Sequence, residues 1–431
     1  MPASNTTLST EEQFAVISRR LVLDFNTTVL TGAERIKAEQ DQMTQVEKHM
    51  RVCLGIKEQF KSAVTVASSE PILTEAAATI AQHIQTFRSC RALRNILQWP
   101  GLSKGDRGEL IVCNITIDTL DSLMFKDRQL QSLIVNATSY FEALFGSKHY
   151  ETIRSSLPSK LAHQDHNKTF AEIFKDARLY VTHFIKVYDY ESLSAEFLLK
   201  CLVRGVAILC ADNQRGVDMV LPMLYKNSLL KIENITCILI QSKNDPVFST
   251  KPKRYLYDAM NPITLRIFNK STTPPPIIRM VYALAAKASV VCVSMPGTQK
   301  QLSRFNKNSY TSFDIWCGQA TSQTFATVRR EDDDAYKELL RLSRDVSDMF
   351  NPRDESFKDL VQSMYPMGTP QPGHWNSFYQ ATVDAAVTIQ SKEVQVSDLS
   401  EDDEMTELLD PAPSLAPMAR RRDSTTPPKI P

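Results

Sequence analysis

Asp218, Gln241 and Lys243 are the residues whose types and spacing best suit chemistry. Asp218 follows the Arg215-Gly216 turn inside the apolar run Val217 to Leu224, where a carboxylate costs free energy unless a charged group or a metal faces it. Gln241 and Lys243 close the next apolar run, which begins Ile235-Thr236-Cys237-Ile238. That run is rich in β-branched residues and too short for a helix, so it reads as a buried strand. Alternation points Gln241 and Lys243 to one face, and if the two strands are neighbours Asp218 joins them. A carboxylate and an amide oxygen suit a hard cation such as Mg²⁺ or Mn²⁺. Such an ion stabilises charge developing on a phosphate and acidifies a bound water, which a lysine beside it positions or activates. The combination suits hydrolysis of a DNA or RNA phosphodiester.

The order Gly216-Val217-Asp218, then Ile238-Leu239-Ile240-Gln241-Ser242-Lys243-Asn244, resembles the metal-binding hairpin of PD-(D/E)xK nucleases in their glutamine variant. The resemblance implies a restriction-endonuclease-like domain in which Asp218 and Gln241 hold the metal and Lys243 assists the water. It also implies a completing glutamate on a preceding helix. Glu109, in Arg107-Gly108-Glu109-Leu110, is the first candidate, because its Gly-Glu-apolar helix start is similar to the family pattern, and Glu196, in Ala195-Glu196-Phe197-Leu198, is the second. Using Glu109 requires a long helical insertion before the hairpin. The whole chain is also similar to a group of fungal proteins with a helical N-terminal half and the phrases Arg204-Gly205-Val206-Ala207 and Ile240-Gln241-Ser242-Lys243-Asn244, a likeness that implies no activity.

The elements that must carry these residues come from periodicity and turn chemistry. Gly205 to Ala211 and Val217 to Leu224 flank the turn cluster Asp212 to Gly216 and read as a β-hairpin, with Ile235 to Gln241 as a third strand. Ile277 to Ala286, Val290 to Val293 and Ser312 to Cys317 supply further strands. Helices are expected from Thr10 to Phe25, Gly32 to Ala67, Pro71 to Leu97, Gly105 to Leu123, Gln129 to Leu144, Thr169 to Tyr188, Ser192 to Val203 and Tyr336 to Met349. The fold class expected is α/β: a helical N-terminal region over 1–104, an α/β domain with a helical insertion over 105–330, a helical segment over 331–389 and a disordered tail over 390–431.

The chain of 431 residues carries a net charge of +1, so its mean charge argues for neither nucleic acid nor membranes. The charge is segregated, however. From Lys200 to Tyr310 basic residues outnumber acidic ones by roughly three to one. Lys251, Lys253 and Arg254, soon after Lys243, could contact a phosphate backbone, against the plainer reading of a solvated loop. Eight cysteines without a CxxC pair, several inside apolar runs, point to buried thiols in a reducing compartment, nucleus or cytoplasm. No apolar stretch approaches the length of a membrane span.

Other signals are weaker. His163 and His166 lack a second ligand pair, and His183 sits in apolar surroundings as a core histidine would. The chain has no GxxxxGK loop and no GxSxG elbow. The basic run Arg420 to Arg422 precedes a possible proline-directed phosphorylation site. A second function class stays open: a non-catalytic interaction protein in which the long helix around Met43 to Phe60 binds a protein partner and the α/β unit is a scaffold.

Overall fold

The computed structural model describes residues 7–23, 32–57, 62–84, 86–96, 104–126, 129–162, 168–212, 214–226, 229–248, 251–269, 274–293 and 310–341. Contacts divide the chain into Met1–Val346 and Ser347–Pro431, the second lying outside the described residues. The expected tail over 390–431, the Arg420 to Arg422 run, His163 and His166 therefore fall outside them as well.

The described residues form a mixed α/β protein with ten α-helices and a forked mixed sheet. The helices are α1 (Thr10–Ser18), α2 (Gly32–Lys48), α3 (Pro71–His83), α4 (Ser89–Ile96), α5 (Lys104–Met124), α6 (Ala137–Arg154), α7 (Phe170–Phe174), α8 (Ala195–Val203), α9 (Arg254–Ala259) and α10 (Asp333–Arg341). Strands β1 (Arg51–Lys57) and β2 (Ser62–Ala67) form a separate antiparallel hairpin, as do β3 (Phe125–Lys126) and β4 (Gln129–Leu130). The main sheet holds nine strands: β5 (Val135–Asn136), β6 (Arg178–Leu179), β7 (His183–Lys186), β8 (Val206–Leu209), β9 (Met219–Leu224), β10 (Ile235–Lys243), β11 (Ile277–Ala283), β12 (Val290–Val293) and β13 (Ser312–Gly318).

Its centre runs β9, β10, β11, β13, with β10, β11 and β13 parallel and β9 antiparallel to β10. The other edge of β9 serves two partners. Val220 and Met219 pair with β8, while Met223 and Leu224 pair with β6, so the sheet forks there. Helices cover both faces of this centre, which is why its strands are apolar throughout instead of alternating. Ile238, Ile240 and Met280 pack with α5, α6 and α7, and Phe14 and Ile17 of α1 join the same core. Leu239 and Val281 pack on the opposite face with Leu198 of α8 and Leu256 of α9.

The expected hairpin and the strands at 277–283, 290–293 and 312–318 are present where the apolar runs placed them. Several expected helices are not. The stretch Gly32 to Ala67 is a helix only to Lys48. Met50 takes a left-handed conformation, φ +57°, and the chain then turns into β1. Val52, Leu54 and Ile56 recur every second residue, a strand period that a helical stripe should not show, and Phe60 lies outside the described residues. Gln129 to Leu144 divides into β4, β5 and a helix that Asn136 caps through Thr138 N–H. Thr169 to Tyr188 is helical for only five residues and then supplies β6 and β7, because Thr182 to Lys186 finds a strand partner in β8. Pro71 to Leu97 breaks at the extended Ile84 into α3 and α4. The first helix ends at Ser18, and its cap is Ser9, which closes a capping box with Glu12. None of the described helices is long and apolar enough to cross a membrane.

His183 is a hydrogen-bonded core histidine, on β7 and not on a helix. Its Nε2 meets Ser69 Oγ at 2.7 Å and its Nδ1 meets Thr182 Oγ1 at 3.0 Å. Burial, with Arg20 and Arg204 adding, pushes its pKa down from 6.5 to about 4. Between those two values the unfolded chain holds a proton that the folded one rejects. The contribution is complete above pH 6.5 and is lost as pH falls through about 4, by about 3 kcal/mol from linkage. His183→Gln should flatten this acid limb when urea midpoints are compared from pH 7 to pH 4; an unchanged limb would assign the loss to other groups.

Candidate functional site

β9 and β10 lie side by side in antiparallel register, Met219 opposite Ile240, which sets the end of β9 beside the end of β10. The Asp218 N–H donates to the Ile240 carbonyl at 2.9 Å, and the Asp218 carboxylate accepts the Ser242 N–H at 2.7 Å. Lys243 Nζ stands 3.9 Å from Asp218 Oδ2. The pair keeps access to solvent, with side chains 24% exposed for Lys243 and 15% for Asp218. Asp218 thus sits at a partly open strand end, not in a closed apolar core.

Two close approaches build this corner. Gly216, at φ +92°, turns the chain into β9 against the end of α9: a Cβ there would lie 2.3 Å from the Ala259 carbonyl oxygen. Gly216→Ala should therefore cost on the order of 2–4 kcal/mol, from backbone strain and a backbone clash together. A urea midpoint equal to wild type would show that the α9 contact yields freely. Gly108 lets α5 lie on the end of β10, since a Cβ there would meet Ser242 Oγ at 2.7 Å and Asn244 Cβ at 3.2 Å.

Through that contact α5 delivers Glu109 to the same corner. Burial pushes the Glu109 carboxyl up to about 8, with the charges of Asp218, Asp106 and Asp212 adding and Lys186 opposing. Burial also raises Asp218, against the pull of Lys243 and the Ser242 N–H. Two carboxyls thus share one partly desolvated corner, and the charge of Asp218 disfavours the ionisation of Glu109. Glu196 is elsewhere in its interactions: it is exposed on α8 and pairs with Lys200 one turn on, at 2.8 Å. Of the two glutamates, Glu109 is the one in the field of Asp218.

Gln241 is buried on the face of β10 that carries Leu239, one residue out of phase with Ser242. Its Oε1 is sealed from solvent and accepts no hydrogen bond. Lys251 and Arg254 are exposed and Lys253 half-buried, on the segment that leads from β10 into α9, and Arg254 pairs with Asp258 at 3.8 Å. Sequence reasoning missed Lys186, Asp106 and Asp212. Lys186 lies on β7, which reads as helix, and it binds Asp212 at 2.8 Å. Asp106 carried a visible signal, since it precedes Glu109 by three residues on one helix.

The donor atoms around this strand end are oxygens: two carboxylates, with the buried amide oxygen of Gln241 on the face of β10 opposite the one that α5 covers. Oxygen donors suit a hard divalent cation, whose charge would favour the ionised form of both acids. Among the described residues, no group of three His, Cys, Asp or Glu side chains is gathered to hold a metal ion. No family model, no curated protein and no solved structure matches this chain.

Proposed function

We propose that the chain hydrolyses a DNA or RNA phosphodiester with Mg²⁺ or Mn²⁺ at a PD-(D/E)xK-like site made of Asp218, Gln241, Lys243 and Glu109, on a restriction-endonuclease-like core. What carries the reading is the union at one strand end of Asp218, Lys243 and Glu109 from three separate elements. Asp218, Glu109 and the Gln241 amide oxygen would hold the cation, which when bound supplies Lewis acidity toward a phosphate oxygen. Lys243 would donate to the attacking water or to the phosphate and hold it in line. Lys251, Lys253 and Arg254 would track the backbone of the strand being cut, without reading its bases. Glu196 takes no part in this reading.

Calorimetric titration of Mg²⁺ and Mn²⁺ into the wild type and Asp218→Ala, with gel assays on single- and double-stranded DNA and RNA, tests it. Divalent binding that depends on Asp218, together with degradation, is expected. Absence of both would leave the second reading. That reading is a non-catalytic scaffold for a protein partner, and the exposed apolar side chains Met43 on α2 and Leu54 and Ile56 on β1 favour it.

A further inference from the structure

Farther along α5 from Glu109, a cavity of about 540 Å³ opens between α1, α3, α4, α5 and the segment leading to α10. Its size suits a small organic molecule. Its lining is mixed. Ile17, Phe87, Ile117 and Val328 contribute apolar surface, and Ser89, Asn114 and Asp118 stand among its polar groups.

The charged groups along this cavity are accounted for, with one exception. Arg20 clasps Asp121 with two bonds of 2.7 Å. Asp332 is paired with Arg91 at 2.8 Å, and Glu331 with Arg88 at 2.8 Å and, loosely, with Arg329 at 3.8 Å. Asp118 receives Ser89 Oγ at 2.9 and 2.7 Å and Asn114 Nδ2 at 3.1 Å, and among the described residues no cation stands within ion-pair distance of it. Asn114 is held in turn, since its Nδ2 also donates to Tyr336 Oη at 2.9 Å. The carboxyl is therefore fixed in orientation by neutral donors, keeps accepting capacity, and lines the cavity. Burial raises its pKa to about 7, with Asp121 and Asp332 adding and the Ser89 hydrogen bonds and the charge of Arg20 opposing. Arg20 acts on it only from beyond contact, so a guest that brought a positive charge would supply the direct ion-pair partner that no described residue gives.

We propose that this cavity is a second ligand site, taking a small organic cation, an amine or guanidinium on an apolar body, whose charged head bonds to Asp118 while its body lies against Ile17, Phe87 and Val328. Neutral donors hold Asp118 as an acceptor, and its burial strengthens a charge pair formed there. The site shares no residue with the Asp218 corner and does not depend on the activity proposed for that corner.

The test is binding of phenethylamine and agmatine to the full chain by calorimetry, with 3-phenylpropionate as the matched anion. Saturable binding of at least one amine is expected, with the anion at least tenfold weaker. Asp118→Asn, which keeps an oxygen for Ser89, should weaken amine binding at least tenfold, and Asp218→Ala should leave it unchanged. In the wild type the bound amine should also slow amide exchange in Ser89–Ile96 and across the second half of α5. The proposal is overturned if neither amine binds saturably, if the anion binds as well as the amines, or if folded Asp118→Asn binds like the wild type. Should Asp118→Asn fail to fold, the amine-against-anion comparison on the wild type decides.

Discussion

Lys243→Ala is expected to lower Mg²⁺-dependent cleavage of a phosphodiester by about 10²–10⁴-fold, the range for removing one positioned proton-transfer or charge-stabilising group. The fold should survive. Lys243 keeps a quarter of its side chain exposed, and its 3.9 Å approach to Asp218 is a loose ion pair worth at most about 1 kcal/mol. Asp218 would retain the Ser242 N–H, which does not depend on the lysine. Initial rates at saturating Mg²⁺, read beside a urea melt, separate the two effects. Cleavage that persisted at the wild-type rate in a folded Lys243→Ala would remove the lysine from the mechanism. A rate that fell only in step with stability would make the pair structural. Glu109→Gln on the same substrate should reduce cleavage while Glu196→Gln should not, because only the first shares the field of Asp218.

The second large effect concerns the fold. Asp314→Ala should destabilise the protein by about 3–5 kcal/mol, since it strands a buried arginine without its counter-charge. Arg279, on β11, is wholly buried, and its Nε and Nη2 bond the two Asp314 oxygens at 2.6 and 2.7 Å across the parallel register with β13. A third bond runs from Arg279 Nη1 to the Tyr257 carbonyl on α9 at 2.6 Å, so the same guanidinium ties the sheet to the helix that abuts Gly216. Native domains are stable by only about 5–15 kcal/mol, so a loss of this size is a large part of the whole. Denaturant unfolding at an unchanged m-value measures it. Combining Asp314→Leu with Arg279→Met should recover much of the loss, because an apolar pair needs no counter-ion. A loss under about 1 kcal/mol in the single variant would mean that water or a rearranged side chain reaches the guanidinium.

The strands that carry the site were legible because burial on both faces writes a continuous apolar run, and turn residues bound it: Val206 to Leu209, Met219 to Leu224 and Ile235 to Lys243 all show this. Asp218 stood out for the complementary reason, as an acid beside such a run. The helix errors have two physical sources. In 51–57 and 129–130 the chain pairs with the neighbouring strand of a local hairpin, whereas in 135–136 and 178–186 pairing with a distant strand selects the extended form. Leu179 pairs with Met223, and His183 with Val206, contacts that no local window contains.

By itself the sequence determined the α/β class, where along the chain the central strands lie, the close spacing of Gln241 and Lys243, and the buried condition of most of the thiols. These follow from periodicity and composition, which are local. Only the tertiary structure set Glu109, and not Glu196, in the field of Asp218, brought Lys186 and Asp212 toward the corner, and paired Arg279 with Asp314. Those outcomes depend on which helix lies on which end of the sheet. Here a missing side chain at Gly108 lets α5 close on β10, and that approach, not any spacing along the chain, sets the two carboxyls in one field.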